Sequence, residues 1–334
     1  MAVNNRGPQQ KIGPAVVALG GGHGLSMSLR ALRNLTDNLT AIVGVSDNGG
    51  SSGRLRDEFD LIPPGDLRMA LAALCGDDAW GRTWSRIMQH RYPGDGELAG
   101  HAAGNLLITA LWQETANTVE GLDWMAALLG AHGRVLPVAN EPLSLVAQIE
   151  GADPAHPDEV KEVVGQVQIE RSPGIVKSLD IVPADPQPCP EAIAALAVAD
   201  GIVLGPGSWY TSVLPHLLVP EIRTAIREST GVKILVLNLD PQKGDEAEAK
   251  PHSNLETWVE QFGDVPLDYV LVDTSSESER SELERLCSAL GARLVTEKLA
   301  RIDQDGSRMR VHDPLLLAAG LRSLLIHGTI YPWQ

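Results

Sequence analysis

The sequence is poor in positive charge and in long apolar runs, and each shortage excludes a class of protein. Its 334 residues include 27 lysines and arginines against 43 aspartates and glutamates, which gives a formal net charge of −16. A chain of this charge has no general attraction for nucleic acid or for an anionic membrane. No stretch approaches about eighteen uninterrupted apolar residues, so we expect no membrane span.

Cysteine is scarce as well. Cys75, Cys189 and Cys287 form no Cys-x-x-Cys pair and are typical of the reduced thiols of a cytoplasmic protein. The nine histidines show no metal-ligand spacing, which argues against a zinc site. The polar segment 1–14 lacks the apolar core of a signal peptide, so we expect a disordered N-terminal tail there.

Three glycine-rich segments carry most of the information, because each follows a short apolar run typical of a buried parallel strand. The segments are Gly20–Gly24, Ser46–Gly53 and Gly205–Ser208, behind the runs 15–19, 41–45 and 201–204. In a parallel α/β sheet such loops lie at the carboxyl ends of the strands, where helix N-termini bind anions. Three of them in one chain predict a phosphorylated ligand, and in particular a nucleotide.

The alternation of apolar runs and helical spacing predicts the architecture. We expect a Rossmann-like α/β domain over 15–330, with a doubly wound, mostly parallel sheet. Residues 134–182 break this pattern with short β-prone pieces between prolines and glycines, which predicts an irregular or antiparallel insert. The pieces are 134–138, 163–169 and 175–182; further strands are expected at 233–239, 269–272 and 292–296.

The first loop matches no standard phosphate motif. Leu25 stands where a Walker A lysine would lie, and Gly20, Gly22 and Gly24 are spaced two apart, unlike a dinucleotide fingerprint. We predict that this loop, with Gly21 and His23, contacts the ligand; the alternative is a tight turn that binds nothing.

The second loop, Gly49–Gly53, formally matches the Gly-x-Ser-x-Gly nucleophile elbow. The charged continuation 54–58 and the flexibility of the glycines argue against a hydrolase. We predict an anion-binding loop instead, although a solvated loop remains an alternative. Its ligand groups would come from Asn48, Gly50, Ser51, Ser52, Arg54 and Arg56.

The third loop places small and hydroxyl residues at a helix N-terminus. Gly205, Gly207, Ser208 and Ser212 are predicted to contact phosphate. Asn238 follows a buried strand, where a base or sugar contact is expected. No cofactor is required, but Asp47, Asp66 and Asp240 could hold a Mg²⁺ that bridges a diphosphate.

These segments, together with Pro63–Arg68, Gly104–Leu106 and His312–Pro314, resemble the bacterial gluconeogenesis-factor (YvcK-like) family. That family is a sister group of 2-phospho-L-lactate transferase (CofD-like), which assembles coenzyme F420 from a deazaflavin and an activated phospholactate. The similarity runs over about 15–325. It is greatest to actinobacterial members, because His23 stands where many relatives have threonine.

The resemblance implies a cytoplasmic protein needed for normal cell shape on gluconeogenic carbon sources. It further implies binding of UDP-N-acetylglucosamine, a homodimer and regulatory protein partners. The transferase relatives place their deazaflavin near the positions of Asp47 and Asp66. The sequence departs from the transferases in its glycine-rich continuation after Asp47. It departs from its own family at 240–245, where a Thr-Gln-x-Gly-Glu-Thr pattern is usual.

Three hypotheses about function follow. The chain is a nucleotide-sugar-binding regulator, a phospholactate or phosphoenolpyruvate-type transferase with a guanylyl-activated donor, or an NAD-dependent oxidoreductase. Only the first strand–loop–helix unit suggests the oxidoreductase. In the first hypothesis, the glycine loops donate N–H groups to a diphosphate, and Arg68 adds a charge-assisted hydrogen bond. Asp47 and Asn105 would take hydroxyls or a ring edge.

Overall fold

The computed structural model describes residues 13–239 and 250–326. The predicted tail over 1–14 lies almost entirely outside these ranges, and so does Asp240. Within them the strands are β1 (Val16–Gly20), β2 (Leu39–Val43), β3 (Arg134–Pro137), β4 (Ser144–Glu150), β5 (Val160–Val164), β6 (Ile175–Val182), β7 (Gly201–Leu204), β8 (Val232–Val236), β9 (Tyr269–Asp273), β10 (Arg293–Glu297), β11 (Ala300–Ile302) and β12 (Arg308–His312).

The α-helices of the same ranges are α1 (Gly22–Leu32), α2 (Gly50–Phe59), α3 (Gly65–Leu74), α4 (Ala79–Gln89), α5 (Ala103–Thr115), α6 (Thr118–Leu129), α7 (Gln166–Arg171), α8 (Pro190–Ala197), α9 (Pro215–Leu218), α10 (Pro220–Glu228), α11 (Pro251–Phe262), α12 (Arg280–Leu290) and α13 (Pro314–Ile326). A π-helical turn spans Trp209–Val213, and a 3₁₀ segment spans Thr274–Glu279. No helix in the described part of the chain combines the length and the apolar character needed to cross a membrane.

Seven strands form the main sheet in the order β10-β9-β8-β7-β1-β2-β3, and every pairing is parallel. The chain winds outward from β1 to β3 in one direction and from β7 to β10 in the other. This is the doubly wound arrangement, so the predicted fold class is confirmed. The order reverses between β1 and β7, and in folds of this kind ligands bind outside the carboxyl ends of the strands at such a reversal.

The sheet is stable because apolar side chains bury both of its faces. β1 and β7 are buried throughout, as central parallel strands with helices on both sides should be. Leu29 and Leu32 of α1 are inaccessible to solvent, as is Leu71 of α3, against which α1 packs. Burial of each such side chain contributes roughly 1.5–3 kcal/mol to stability.

The insert differs from its prediction at its N-terminal end and in its middle, whereas its last strand ends at Val182 as predicted. Residues 134–138 were expected in it, but β3 pairs in parallel with β2 at the edge of the main sheet. The separate antiparallel sheet has the order β5-β4-β6 and therefore occupies 144–182. The strand predicted over 163–169 is also wrong, because β5 ends at Val164. Gly165, with φ of +102°, then turns the chain into α7.

Asp273, at the end of β9, holds a hairpin of β11 and β12 to the main sheet. The sequence analysis did not predict this hairpin. The Asp273 carboxylate is only 2% exposed. It accepts hydrogen bonds from the backbone N–H groups of Leu299 (2.7 Å) and Ala300 (3.1 Å), and from Nη2 of Arg308 (2.7 Å). Burial opposes ionisation, but these donors outweigh it and lower the pKa of Asp273. One buried carboxylate thus attaches the hairpin to the sheet.

We expect Asp273→Ala to lower the free energy of unfolding by about 3–5 kcal/mol, because it leaves buried donors and a guanidinium without their acceptor. Urea denaturation measures this. Asp180→Ala, at an exposed position of β6, is the matched control and should change stability by less than about 0.5 kcal/mol. Equal effects of the two substitutions would contradict the assignment.

Candidate functional site

The three predicted loops meet at the carboxyl edge of the main sheet, because β1 lies between β2 and β7. Loops one and three touch through their backbones. A Cβ added to Gly24 would overlap the carbonyl oxygen of Pro206 and lie 2.7 Å from the Cα of Gly207. The Ser28 hydroxyl of α1 also donates to the carbonyl of Gly205 at 2.7 Å. Only glycine at position 24 allows this approach.

Two helices begin at this edge without ordinary caps. α1 follows Gly21 and α2 follows Gly49, and neither helix has a side-chain cap or an acidic residue in its first turn. The first N–H groups of a helix have no partner within it and carry the positive end of its dipole. Two such N-termini side by side are suited to bind the oxygens of a phosphate or diphosphate.

Asp66, in the first turn of α3, lies against the start of α1. Its Oδ2 is 2.5 Å from the position that a Cβ on Gly21 would occupy, and it accepts a hydrogen bond from the backbone of Gly22. Burial raises the pKa of Asp66 to about 7, with a further contribution from the charge of Asp47; the Gly22 N–H and Arg68 oppose the shift. Asp66 therefore keeps its proton to a higher pH than an ordinary carboxyl group does.

Asp47 connects the second loop to the start of α3. Its Oδ1 accepts from the backbone N–H of Gly49 at 2.8 Å, and its Oδ2 lies 2.9 Å from where a Cβ on Gly65 would be. The Ser52 hydroxyl lies against the same face of Gly65. A side chain at position 65 would separate these groups.

The described residues contain no group of three or more histidines, cysteines or acidic residues able to hold a metal ion. Asp47 and Asp66 offer two carboxylates near α3. Two carboxylates fit a Mg²⁺ that keeps most of its waters and completes its shell with phosphate oxygens. Such an ion would neutralise charge between the carboxylates and a diphosphate.

Ser51 is buried and holds the second loop to α5. Its Oγ is 3.0 Å from Nδ1 of His101, and it accepts hydrogen bonds from Nδ2 of Asn105 (3.0 Å) and the N–H of Ala102 (3.3 Å). Burial, together with the charge of Arg54, lowers the pKa of His101. His101 lies where a general base would, but Ser51 is only 3% exposed and its oxygen already accepts two N–H groups, which agrees with the argument against a hydrolase. Oδ1 of Asn105 is buried without a partner and so remains an acceptor.

The predicted cations are engaged with protein groups. Arg54 donates to the carbonyl of Ala99 at 2.8 Å, and Arg56 donates to the carbonyl of Leu143 at 2.9 Å. Arg68 is 4% exposed and donates to Gln89, while its Nε has no partner. Burial, reinforced by Arg91, lowers the pKa of Arg68 to about 10. The Nε of Arg68 is thus a buried donor that the described residues leave without an acceptor.

Asn48 and Asn238 also make protein contacts. Asn48 donates to Oε1 of Gln168 at 2.8 Å and accepts from the N–H of Val167 at 3.1 Å, so α7 of the insert is joined to the second loop. Asn238 accepts from the N–H of Gly207 at 3.0 Å and donates to its carbonyl at 2.7 Å. Both amides shape the loops, and their predicted ligand contacts stay predictions.

Two site residues on α7 escaped the sequence analysis because a strand was expected over 163–169. Gln168 binds Asn48, and Glu170 accepts from the Thr211 hydroxyl at 2.7 Å. Glu170 also adds negative charge near Asp66. Of the remaining predicted residues, His23 is exposed, Ser208 begins the π-helical turn, and the Ser212 hydroxyl lies between Gly21 and Gly207.

Comparisons with known proteins agree on one family. The model of a family described as 2-phospho-L-lactate transferase CofD matches residues 16–313. A Mycobacterium tuberculosis (strain H37Rv) protein, provisionally named a gluconeogenesis factor, is 43% identical over 309 residues, which cover 92% of this chain and 89% of that protein. The gluconeogenesis factor of Bacillus subtilis (strain 168) is 34% identical, with 84% and 85% covered. The crystal structure of a UPF0052 family member from Bacillus halodurans aligns with a TM-score of 0.79 at 33% identity, over 92% of this chain and 98% of that one.

We expect Asp66→Asn to stabilise the protein at pH 8 by about 2–4 kcal/mol and to have no effect near pH 4. The native pKa of Asp66, about 7, lies above the ordinary value of 3.8. The unfolded chain therefore releases this proton first, and wild-type stability falls between about pH 4 and 7. Urea denaturation at both pH values tests this, with Asp180→Asn as the control. A variant no more stable than wild type at pH 8 would contradict the expectation.

We expect Gly24→Ala to destabilise the protein by about 1–3 kcal/mol or more, because the new methyl group forces the first and third loops apart. Gly96→Ala is the control, since a Cβ at position 96 meets no atom within 4 Å. Urea denaturation of both variants separates the steric effect from the general effect of replacing glycine. A loss no larger than that of the control would show that the loops do not depend on their close approach.

Proposed function

This chain belongs to the CofD family and, within it, to the gluconeogenesis factors, and on that premise we propose that it binds a nucleotide sugar, UDP-N-acetylglucosamine. In this proposal it is a cytoplasmic regulator, a homodimer with protein partners, that adjusts cell-wall synthesis and cell shape during gluconeogenic growth. The names of its relatives support the link to gluconeogenic growth. The architecture of the loops supports the ligand class.

The observation that carries the ligand class is the pair of uncapped helix starts at Gly21 and Gly49, beside the third loop at the switch point of the sheet. Apart from the Gly22 N–H, which donates to Asp66, the N–H groups of these helix starts can bind several oxygens of a diphosphate without a cationic side chain. That suits a chain of net charge −16, whose Arg54 and Arg56 are engaged elsewhere. Asp47 and the free Oδ1 of Asn105 are the acceptors available to hydroxyls or a base.

Hydrolysis at the second loop is disfavoured by how Ser51, the candidate nucleophile, is held. Ser51 lies in the motif of a hydrolase, yet it is 3% exposed and has three hydrogen-bond partners. A regulatory protein needs a surface that changes when the ligand binds, rather than a reactive side chain. The insert provides one, because α7 contacts the second loop through Asn48 and the third through Thr211.

A second candidate is a transferase that joins an activated phospholactate or phosphoenolpyruvate to a deazaflavin. The description of the matching family favours it. Asp47 and Asp66 would then hold Mg²⁺ at the diphosphate of a guanylyl donor, and the helix N-termini would bind its phosphates.

Isothermal titration with UDP-N-acetylglucosamine, UDP-glucose, GDP and NAD, each with and without Mg²⁺, distinguishes the candidates. We expect micromolar binding of the uridine sugars and no product. Ser212→Ala should weaken binding about fivefold to tenfold, because its hydroxyl lies between loops one and three. Ser288→Ala on α12 is the control. Binding of GDP alone, with product formed from deazaflavin and the activated donor, would favour the transferase; no binding of any uridine nucleotide would refute the first proposal.

We expect the Kd for UDP-N-acetylglucosamine without Mg²⁺ to rise about tenfold from pH 6 to pH 8, because ionised Asp66 repels the diphosphate at the start of α1. The sign follows from the pKa of Asp66, which is raised to about 7, so protonated Asp66 prevails below that pH. In Asp66→Asn the dependence should disappear, with tight binding at both pH values. A pH-independent wild-type Kd would contradict the role given to Asp66.

A further inference from the structure

A cavity of about 320 Å³ lies between α1, α3 and α4, away from the glycine loops. Four of its lining residues are arginines and one is acidic: Arg30, Arg33, Arg82, Arg86 and Asp77. The lining arginines and aspartate carry a formal charge of +3, in a chain whose net charge is −16. We call this feature the arginine pocket.

The arginine pocket and the loops lie at opposite ends of the same helices. α1 and α3 begin at the loops, with Gly22 and Gly65, and their last turns reach the pocket through Arg30 and Ala73. An eleven-residue helix such as α1 is about 16 Å long. A ligand in the pocket therefore does not touch the residues of the glycine loops.

Part of the positive charge has a structural role. Arg33 pairs with Asp77 at 2.5 Å and donates to the carbonyl of Cys75 after the end of α3, and Arg82 donates to the carbonyl of Asp77. These contacts satisfy carbonyl groups around the end of α3 and the start of α4.

In the part of the chain that the structure describes, the other guanidinium groups make no comparable contacts. Within the described ranges, neither Arg30 nor Arg86 forms an ion pair, and Arg82 faces no carboxylate within 4.0 Å. The Arg33 side chain is only 14% exposed, and its Nε is buried without an acceptor. Segment 79–92, which supplies α4, has three arginines and no acidic residue. The arginine pocket thus has four guanidinium groups but one carboxylate, that of Asp77, and the buried Nε of Arg33 remains unpaired.

We propose that the arginine pocket binds a small anion with at least two negative charges on phosphate or carboxylate groups. Its volume is at the lower end of the range for small-molecule sites, which begins near about 300 Å³. Guanidinium groups bind phosphate and carboxylate oxygens in pairs, and Arg30 and Arg86 are free to do so. The unpaired Nε of Arg33 supplies a further donor.

Titration of the full chain with inorganic pyrophosphate and with citrate, at about 0.15 M salt to screen diffuse attraction, tests the proposal. Pyrophosphate represents phosphate ligands and citrate represents carboxylates. Arg30→Gln/Arg86→Gln should raise the Kd of the preferred probe at least about tenfold. Arg293→Gln, an exposed arginine of β10, should leave it unchanged. Hydrogen exchange should slow over 30–33 and 75–86 when the probe binds.

Pyrophosphate can also bind at the glycine loops, so the two sites must be separated. The pocket variant should retain wild-type affinity for UDP-N-acetylglucosamine, which also shows that it is folded. Exchange protection confined to 20–24, 49–53 and 205–212, with no loss of affinity in the pocket variant, would overturn the proposal. Equal weakening by Arg293→Gln would overturn it too, because the attraction would then be diffuse.

Discussion

The close approach of two glycine loops at the centre of the sheet is the constraint on which the site depends. Gly24 touches Pro206 and Gly207 where the strand order reverses, and Ser28 and Asn238 hold the third loop in that place. This contact brings the uncapped start of α1 beside the π-helical turn. A Cβ at position 24 cannot be accommodated unless one of the two backbones moves. The lack of a side chain at Gly24 therefore fixes both the geometry proposed to bind an anion and the packing of β1 against β7.

The site is built from backbone dipoles rather than cationic side chains, and this has an electrostatic consequence. Without a ligand, the positive end of α1 faces the carboxyl group of Asp66, which accepts from Gly22 and has a pKa of about 7. A carboxyl group at that pKa can give up its negative charge for about 1 kcal/mol or less near neutral pH. Under the proposed function, an incoming diphosphate would therefore displace little charge, and proton uptake or Mg²⁺ would balance the remainder. A permanently ionised carboxylate in this place would compete with the ligand instead.

The features that were predicted from the sequence depend on residues close together in the chain, whereas the features that were missed depend mostly on contacts between distant residues. The three loops, the buried strands behind them and the helix starting near Asp66 follow from glycine positions and apolar runs within about ten residues. By contrast, the contact that engages Asn48 with Gln168 joins residues 120 apart. Gly165 ends β5 through a positive φ that the apolar pattern of 163–169 conceals. The roles of Arg54 and Arg56 depend likewise on carbonyl groups of distant loops. The sequence shows that both residues are cations, but only the tertiary structure decides which acceptors their guanidinium groups reach.

α1 and α3 explain how an acidic protein could present the two anion sites that we propose. Both helices direct their N-termini, with partial positive charge, toward the glycine loops, and their C-termini, with partial negative charge, toward the opposite edge. Arg33 satisfies the Cys75 carbonyl beyond the end of α3, and Arg30 complements the dipole of α1 from its last turn. The C-terminal ends therefore need arginines for stability, while the N-terminal ends need none. Arginines beyond that requirement, such as Arg86 on the facing helix, make the C-terminal edge attractive to anions in its own right, which backbone dipoles alone would prevent.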